Sequence, residues 1–156
     1  MIVYHSSYLI IDKPDVLHSR NALDFGKGFY VTVLHEQALR YAKRFSLRGM
    51  KAYINIYELD DEWRNENVKV FKAYDSEWLD FIATNRKMMT VSQYDAVEGG
   101  VANDKIFRTV ELYLVGNISK DVALSRLKYE KPNHQICILN QRLIDKYLKY
   151  LRTEEV

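Results

Sequence analysis

Asp24-Phe25-Gly26-Lys27-Gly28-Phe29-Tyr30-Val31-Thr32 is the stretch on which the reading of this chain turns. Two glycines flank a lysine at its centre, and glycine tolerates the positive φ that a tight turn demands. The residues that follow, Phe29 to Thr32, are aromatic or β-branched, the composition that strands favour. The period then changes: Ala38, Tyr41, Ala42 and Phe45 fall at i, i+3, i+4 and i+7, one face of a helix. Glycine turn, short strand and amphipathic helix are therefore expected in direct succession.

On either side of this stretch the strand signature recurs at Ile2–Tyr4, Ala52–Tyr57, Val68–Phe71, Tyr94–Val97 and Gln135–Leu139. Further helices are predicted over Trp78, Leu79, Phe81 and Ile82 behind the caps Asp75 or Ser76, and over Ile106, Phe107, Val110 and Leu114 behind Asn103 or Asp104, ending at Gly116. Another starts at Ser119 and runs through Ala123, Leu124 and Leu127. A last one, capped by Asn140, carries Leu143, Ile144, Tyr147, Leu148 and Leu151. Strands and helices do not alternate as in a doubly wound sheet, so the predicted class is mixed α+β. With 156 residues, two prolines, six glycines and no repeat or linker, residues 1–156 read as a single domain.

The composition closes several routes. With 23 Lys+Arg against 21 Asp+Glu the formal net charge is +2, so there is no polybasic field to announce nucleic-acid binding. Cys137 is the only cysteine, which removes a disulfide framework and a cysteine zinc cage and favours a cytoplasmic setting. Met1 to Ile11 is uncharged and lacks a basic n-region, and no apolar run approaches the roughly 20 residues of a membrane span, so no membrane association is expected. His5, His18, His35 and His134 show no HExxH spacing or i, i+4 pairing, and no metal site is expected. His18, His35 and His134 read as surface or loop histidines. Neither GxSxG nor GxxxxGK[ST] is present.

Three segments combine into something more specific: Tyr4-His5-Ser6-Ser7, Phe25 to Thr32, and Asn133-His134-Gln135-Ile136-Cys137-Ile138. In these the chain resembles the ADP-ribosyltransferase superfamily, in the diphtheria-toxin and poly(ADP-ribose) polymerase branch with its His, Tyr, Glu triad. His5-Ser6-Ser7 matches that branch's His-Gly-Ser at its first and third positions, and Gly26-Lys27-Gly28-Phe29-Tyr30 is similar to its Gly-Lys-Gly-Ile-Tyr. A second aromatic is expected one short helix further on, and Tyr41 lies 41 − 30 = 11 residues after Tyr30. Asp24–Thr32 together with Gly99-Gly100-Val101-Ala102-Asn103-Asp104 also resembles a sparsely characterised bacterial family of the same superfamily, whose members are encoded beside small antitoxin-like proteins.

The resemblance implies an ADP-ribosyltransferase-like fold, mixed sheets flanked by short helices around an NAD cleft between the strands bearing His5 and Tyr30. It implies NAD as substrate, transfer of one ADP-ribose unit to an unidentified protein or nucleic-acid acceptor, and a toxin with a small antitoxin partner. His5 takes the adenosine ribose, the Ser6 backbone and Ser7 hydroxyl take the nicotinamide carboxamide, Gly28 lines the site, and Tyr30 and Tyr41 supply the ring faces. A flat cationic ring between two aromatic faces gains stacking and cation–π attraction, each worth about 1 kcal/mol. The ordinary reading of both tyrosines is core packing, since the chain has twelve.

The third position departs from the pattern. The family glutamate, which stabilises the oxocarbenium-like centre left when the C1′–N bond of NAD breaks, falls on Gln135. A neutral amide can orient a ribose hydroxyl but supplies no charge. Candidate carboxylates to supply it are Glu111 first, then Asp104, Glu130 and Glu98, whose ordinary readings are helix-face charge, N-cap and loop solvation. Two alternatives stay open: an NAD- or nucleotide-binding module that keeps the fold with little or no catalysis, and an α+β interaction protein in which the turn and the tyrosines are structural.

Overall fold

A computed structural model describes residues 1–89 and 93–156. The apolar runs of the N-terminal third become β1 (Ile2–Ser7), β2 (Phe29–Val31) and β3 (Tyr53–Leu59), with the amphipathic segment between β2 and β3 forming α1 (His35–Ser46). After a 3-10 turn at Asp61–Asn65 come β4 (Val68–Val70), α2 (Ser76–Arg86), β5 (Ala96–Gly99), α3 (Asp104–Leu114) and α4 (Lys120–Leu127). β6 (Gln135–Ile138), α5 (Gln141–Tyr147) and β7 (Leu148–Glu155) complete the chain. The class is α+β, as expected.

Local chemistry sets the helix starts. Asp75, Ser119 and Asn140 each accept a hydrogen bond from a backbone N–H in the first turn, of Trp78, Val122 and Arg142 respectively. Asn103 occupies the cap position of α3 without a side-chain bond, and Asp104 is the first helical residue, its side chain lying outside the described residues. Gly116, two residues past the end of α3, takes φ +79°.

One sheet has the order β1-β3-β7 and is antiparallel; the other has the order β2-β6-β5-β4, with only β4 and β5 parallel. The sheets meet edge to edge at β1 and β2. Tyr4 and Thr32 exchange both backbone hydrogen bonds there, at 2.8 and 3.0 Å. Ala38 and Ala42 of α1 pack on Ile54 and Ile56 of the first sheet, small residues allowing the helix close approach. One face of the second sheet builds a core from Phe29, Val31, Ile136 and Ile138 with Tyr57, Trp63 and Leu143. The other face, through Val97 and Cys137, packs against Trp78, Leu79 and Ile82 of α2 and Ile106 and Val110 of α3.

The expected last helix needs correction. It stops at Tyr147, and Leu148 and Leu151 belong to β7, which covers the free edge of β3. Tyr57 pairs with Tyr150 and Ile56 with Arg152, so Leu151 is an extra residue with no partner opposite. That bulge breaks the period of two, and the remaining spacing of apolar residues imitates a helix.

Gly26 takes φ +96°, the turn conformation expected of it. Gly28 serves a different end: a β-carbon there would lie 2.5 Å from the Ile138 carbonyl oxygen and 2.7 Å from Cys137 Sγ. β2 can therefore lie against β6 only because this position has no side chain. Gly28→Ala is expected to lower unfolding free energy by about 3 kcal/mol, the upper range for overpacking a well-filled core, as read by urea denaturation. A loss below about 0.5 kcal/mol would mean that β2 can shift to make room.

Candidate functional site

The first motif stands on β1, where pairing with β3 fixes His5 opposite Asn55. His5 Nδ1–H donates to the Tyr30 carbonyl at 2.6 Å, and the imidazole stacks on Phe29 with ring centroids 4.4 Å apart. This bond fixes the neutral tautomer, leaving Nε2 as a hydrogen-bond acceptor. Burial pushes the imidazole below its ordinary value, against the Tyr30 carbonyl, which favours the charged form. Ser6 Oγ donates to the Ala38 carbonyl at 2.6 Å and so ties β1 to α1. Ser7 Oγ accepts from the Leu9 N–H at 3.1 Å, which leaves its own proton available.

Tyr30 is half-buried and packs against the α2–α3 core. Its hydroxyl donates to the Gly26 carbonyl at 2.6 Å and accepts from the Phe25 N–H at 3.2 Å, so the ring braces its own turn. Burial, with the neighbouring Cys137 thiol adding to it, raises the phenol well above its usual range and keeps it neutral. Gly28 N–H is taken by Ser19 Oγ at 3.0 Å. Tyr41 is 45% exposed on α1, edge-on to Phe45 and with the Arg44 guanidinium 5.3 Å from its ring centroid. The rings of Tyr30 and Tyr41 do not stack on each other.

Gln135 opens β6, paired with Gly99 of β5. Tyr30 pairs with Cys137, two residues along, so Tyr30 and Gln135 share one face of the sheet. Gln135 Oε1 is buried and has no hydrogen-bond partner among the described residues. Such atoms are uncommon, because an unmet buried acceptor costs free energy.

The candidate carboxylates have other engagements. Glu111 is 45% exposed and bonds Arg86 Nη1 at 2.8 Å. Glu98, read from sequence as loop solvation, is instead on β5, its side chain only 12% exposed and clasped by Arg64 at 2.7 and 3.2 Å and by His134 Nε2 at 2.9 Å. Burial opposes its ionisation, yet the bonds from His134 and Arg64 outweigh that and bring the carboxyl down to about 2. His134 is correspondingly a partly buried ring in a network rather than a surface histidine. Glu130 stays in the loop after α4 and lines a cavity of about 600 Å³ with Tyr74, Leu127 and Pro132. That cavity, and another of about 230 Å³ against α2, are lined by none of His5, Tyr30 or Gln135.

Nothing in either of the two longer motifs signals how they fit together. Asp24, at the head of the first, is buried and accepts from the Ala102 N–H of the second at 2.6 Å and from Arg86 Nε at 2.7 Å. Asn85 Nδ2 donates to the Asp24 carbonyl, and Arg86 lies over the Phe107 ring. Gly99 and Gly100 leave room for Phe71 and Tyr74, and Asn133, two residues before Gln135, bonds both the N–H and the carbonyl of Val101. The second motif is thus the bracket that holds the glycine turn and the approach to Gln135. A lone Asp before a glycine turn carries no sequence signal for such a role.

Two sheets joined edge to edge, with α1 on one and α2 and α3 on the other, define a small α+β domain in which the three motifs converge on the β1–β2–β6 region. The chain belongs to the family described as a protein of unknown function, DUF3990, whose model matches residues 1–150. No curated protein and no solved structure matches the chain. No helix among the described residues is long and apolar enough to cross a membrane.

The bracket makes a contrast between two acids. Asp24→Ala is expected to cost about 3 kcal/mol, the low end for breaking a buried pair because Glu111 still faces Arg86, whereas Glu111→Gln should cost about 1 kcal/mol or less. Denaturant titrations of both variants check the order, and equal costs would contradict it.

Proposed function

We propose that this chain is a mono-ADP-ribosyltransferase that takes NAD as substrate. The observation that carries the proposal is Gln135 Oε1, which lies on the same sheet face as Tyr30 and is a buried acceptor without a partner among the described residues. A ribose hydroxyl both donates and accepts, so it satisfies this amide in either orientation. His5, whose ring stacks on Phe29 at the seam and so on the other face of the sheet, has its Nδ1–H spent on Tyr30 and keeps an acceptor at Nε2 that a ligand lying along the β1–β2 edge would meet through its adenosine ribose. Ser7 keeps a proton to donate to the nicotinamide carbonyl. Tyr41, on an exposed helix face, has ring surface for nicotinamide.

In the proposed reaction the C1′–N bond breaks with its electron pair going to nicotinamide, an oxocarbenium-like centre forms, and an acceptor nucleophile adds to C1′ and sheds its proton. Gln135 orients the ribose hydroxyl while the charge on C1′ develops. A carboxylate at that point would stabilise the charge as well, and its loss commonly costs about 100-fold or more in rate.

The second reading, an NAD-binding module with little turnover, is favoured by a separate observation: Glu111 and Glu98 are both held by arginines. Calorimetry with NAD and release of nicotinamide distinguish the two. NAD is expected to bind the wild type in the micromolar to millimolar range, and Tyr30→Ala to remove most of that binding. Gln135→Glu should raise nicotinamide release by roughly 10-fold to 1000-fold if the site is otherwise complete. Binding without release from either protein supports the module, and absence of NAD binding removes both readings.

A further inference from the structure

Under the NAD reading, Gln135 and Tyr41 must keep a fixed separation, because one orients the ribose while the other meets the nicotinamide. Gln37 stands in the first turn of α1, four residues before Tyr41 and therefore on the same side of the helix. Its side-chain amide bonds the main chain of His134, the residue before Gln135, twice. Nε2–H donates to the His134 carbonyl at 2.7 Å, and Oε1 accepts from the His134 N–H at 3.2 Å. Used this way, a primary amide imitates one residue of a neighbouring strand, and the helix supplies a side-chain rung to the mouth of β6.

The His134 ring is fixed as well. Nε2–H donates to Glu98 at 2.9 Å, Nδ1 accepts from the Val33 N–H at 3.3 Å, and Arg64 completes the cluster through Glu98. Glu98 pairs with Ile136 and shares its face, whereas Gln135 pairs with Gly99 and lies on the other face. The cluster thus stands on the far side of the sheet from whatever Gln135 meets. Its leverage is on the rotation and height of the strand mouth relative to α1.

We infer that Gln37 is a positioning residue, whose paired bonds to His134 set the spacing between Tyr41 and Gln135 and so the geometry in which NAD is held. The inference rests on the NAD reading, and a double-mutant cycle tests it. NAD affinity is measured by calorimetry for wild type, Gln37→Met, Gln135→Ala and the double variant, with thermal melts of the same samples. Gln37→Met keeps the side-chain length and removes both bonds. It is expected to weaken NAD binding about 10-fold, within the range for groups that act as one unit, while the melting temperature moves by no more than about 5 °C. In the Gln135→Ala background the same substitution should change affinity by less than about 2-fold, since no amide is left to aim. Should Gln37→Met melt below the assay temperature, Gln37→Glu takes its place in the cycle, because it keeps the bond to the His134 N–H and loses only that to the carbonyl. Unchanged affinity in the Gln37 variant, or a loss of equal size in both backgrounds, overturns the positioning role and leaves the NAD reading standing. A wild type that binds no NAD overturns both.

Discussion

The bond from His5 Nδ1–H to the Tyr30 carbonyl sits where the two sheets share no ladder. Among the described residues, the other backbone link between these two edges is the bridge between Tyr4 and Thr32, the residue after β2. Backbone groups buried at a sheet edge need partners, and here one imidazole meets the Tyr30 carbonyl while stacking on Phe29 of the same strand. The side chain that closes the seam is also the one that keeps an acceptor at its second nitrogen. Burial favours the neutral ring, and in that form Nδ1–H closes the seam while Nε2 stays an acceptor.

Around that seam the chain uses tight packing in place of long strands. β2 has three residues and can reach β6 only through the gap at Gly28, and Gly99 and Gly100 make comparable allowance for Phe71 and Tyr74. Asp24 then links the turn before β2 to the segment after β5 through Ala102, and Arg86 adds α2 and α3 to the same joint. The two motifs, far apart in sequence, are one mechanical unit. Chemistry at Tyr30 and Gln135 would depend on residues that touch no ligand.

Much of this was legible in the sequence, and the failures have physical causes. The expected strands appear with ends shifted by a residue or a few, because aromatic and β-branched runs bounded by glycine, asparagine or proline carry a strong signal. The caps at Asp75, Ser119 and Asn140 were readable because a short polar side chain before an apolar period has one common use. β7 was not, since the bulge at Leu151 removes the alternation that would have marked it. Positions His5, Tyr30 and Gln135 could be singled out from motif order, but the idle Gln135 oxygen could not, because it depends on every neighbour at the mouth of β6 being engaged elsewhere. Glu98 shows the same limit: nothing local announces that Arg64, thirty-four residues upstream, will clasp it.

Under the proposed function, the neutral Gln135 amide would separate binding from catalysis within one site. Under the NAD reading it would hold a ribose without stabilising the positive charge of the transition state, while Glu98 and Glu111 are held by arginines. The proposed function stands or falls with NAD recognition, and His5 reports on it most directly. In protein labelled with nitrogen-15 at its four histidines, proton–nitrogen correlation spectra resolve the state of each ring nitrogen. His5 is expected to carry its proton on Nδ1 at neutral pH, and its bare Nε2 resonance to shift on titration with NAD, a shift absent with nicotinamide alone. A His5 protonated on Nε2, or an Nε2 resonance that stays in place through saturating NAD, would contradict it.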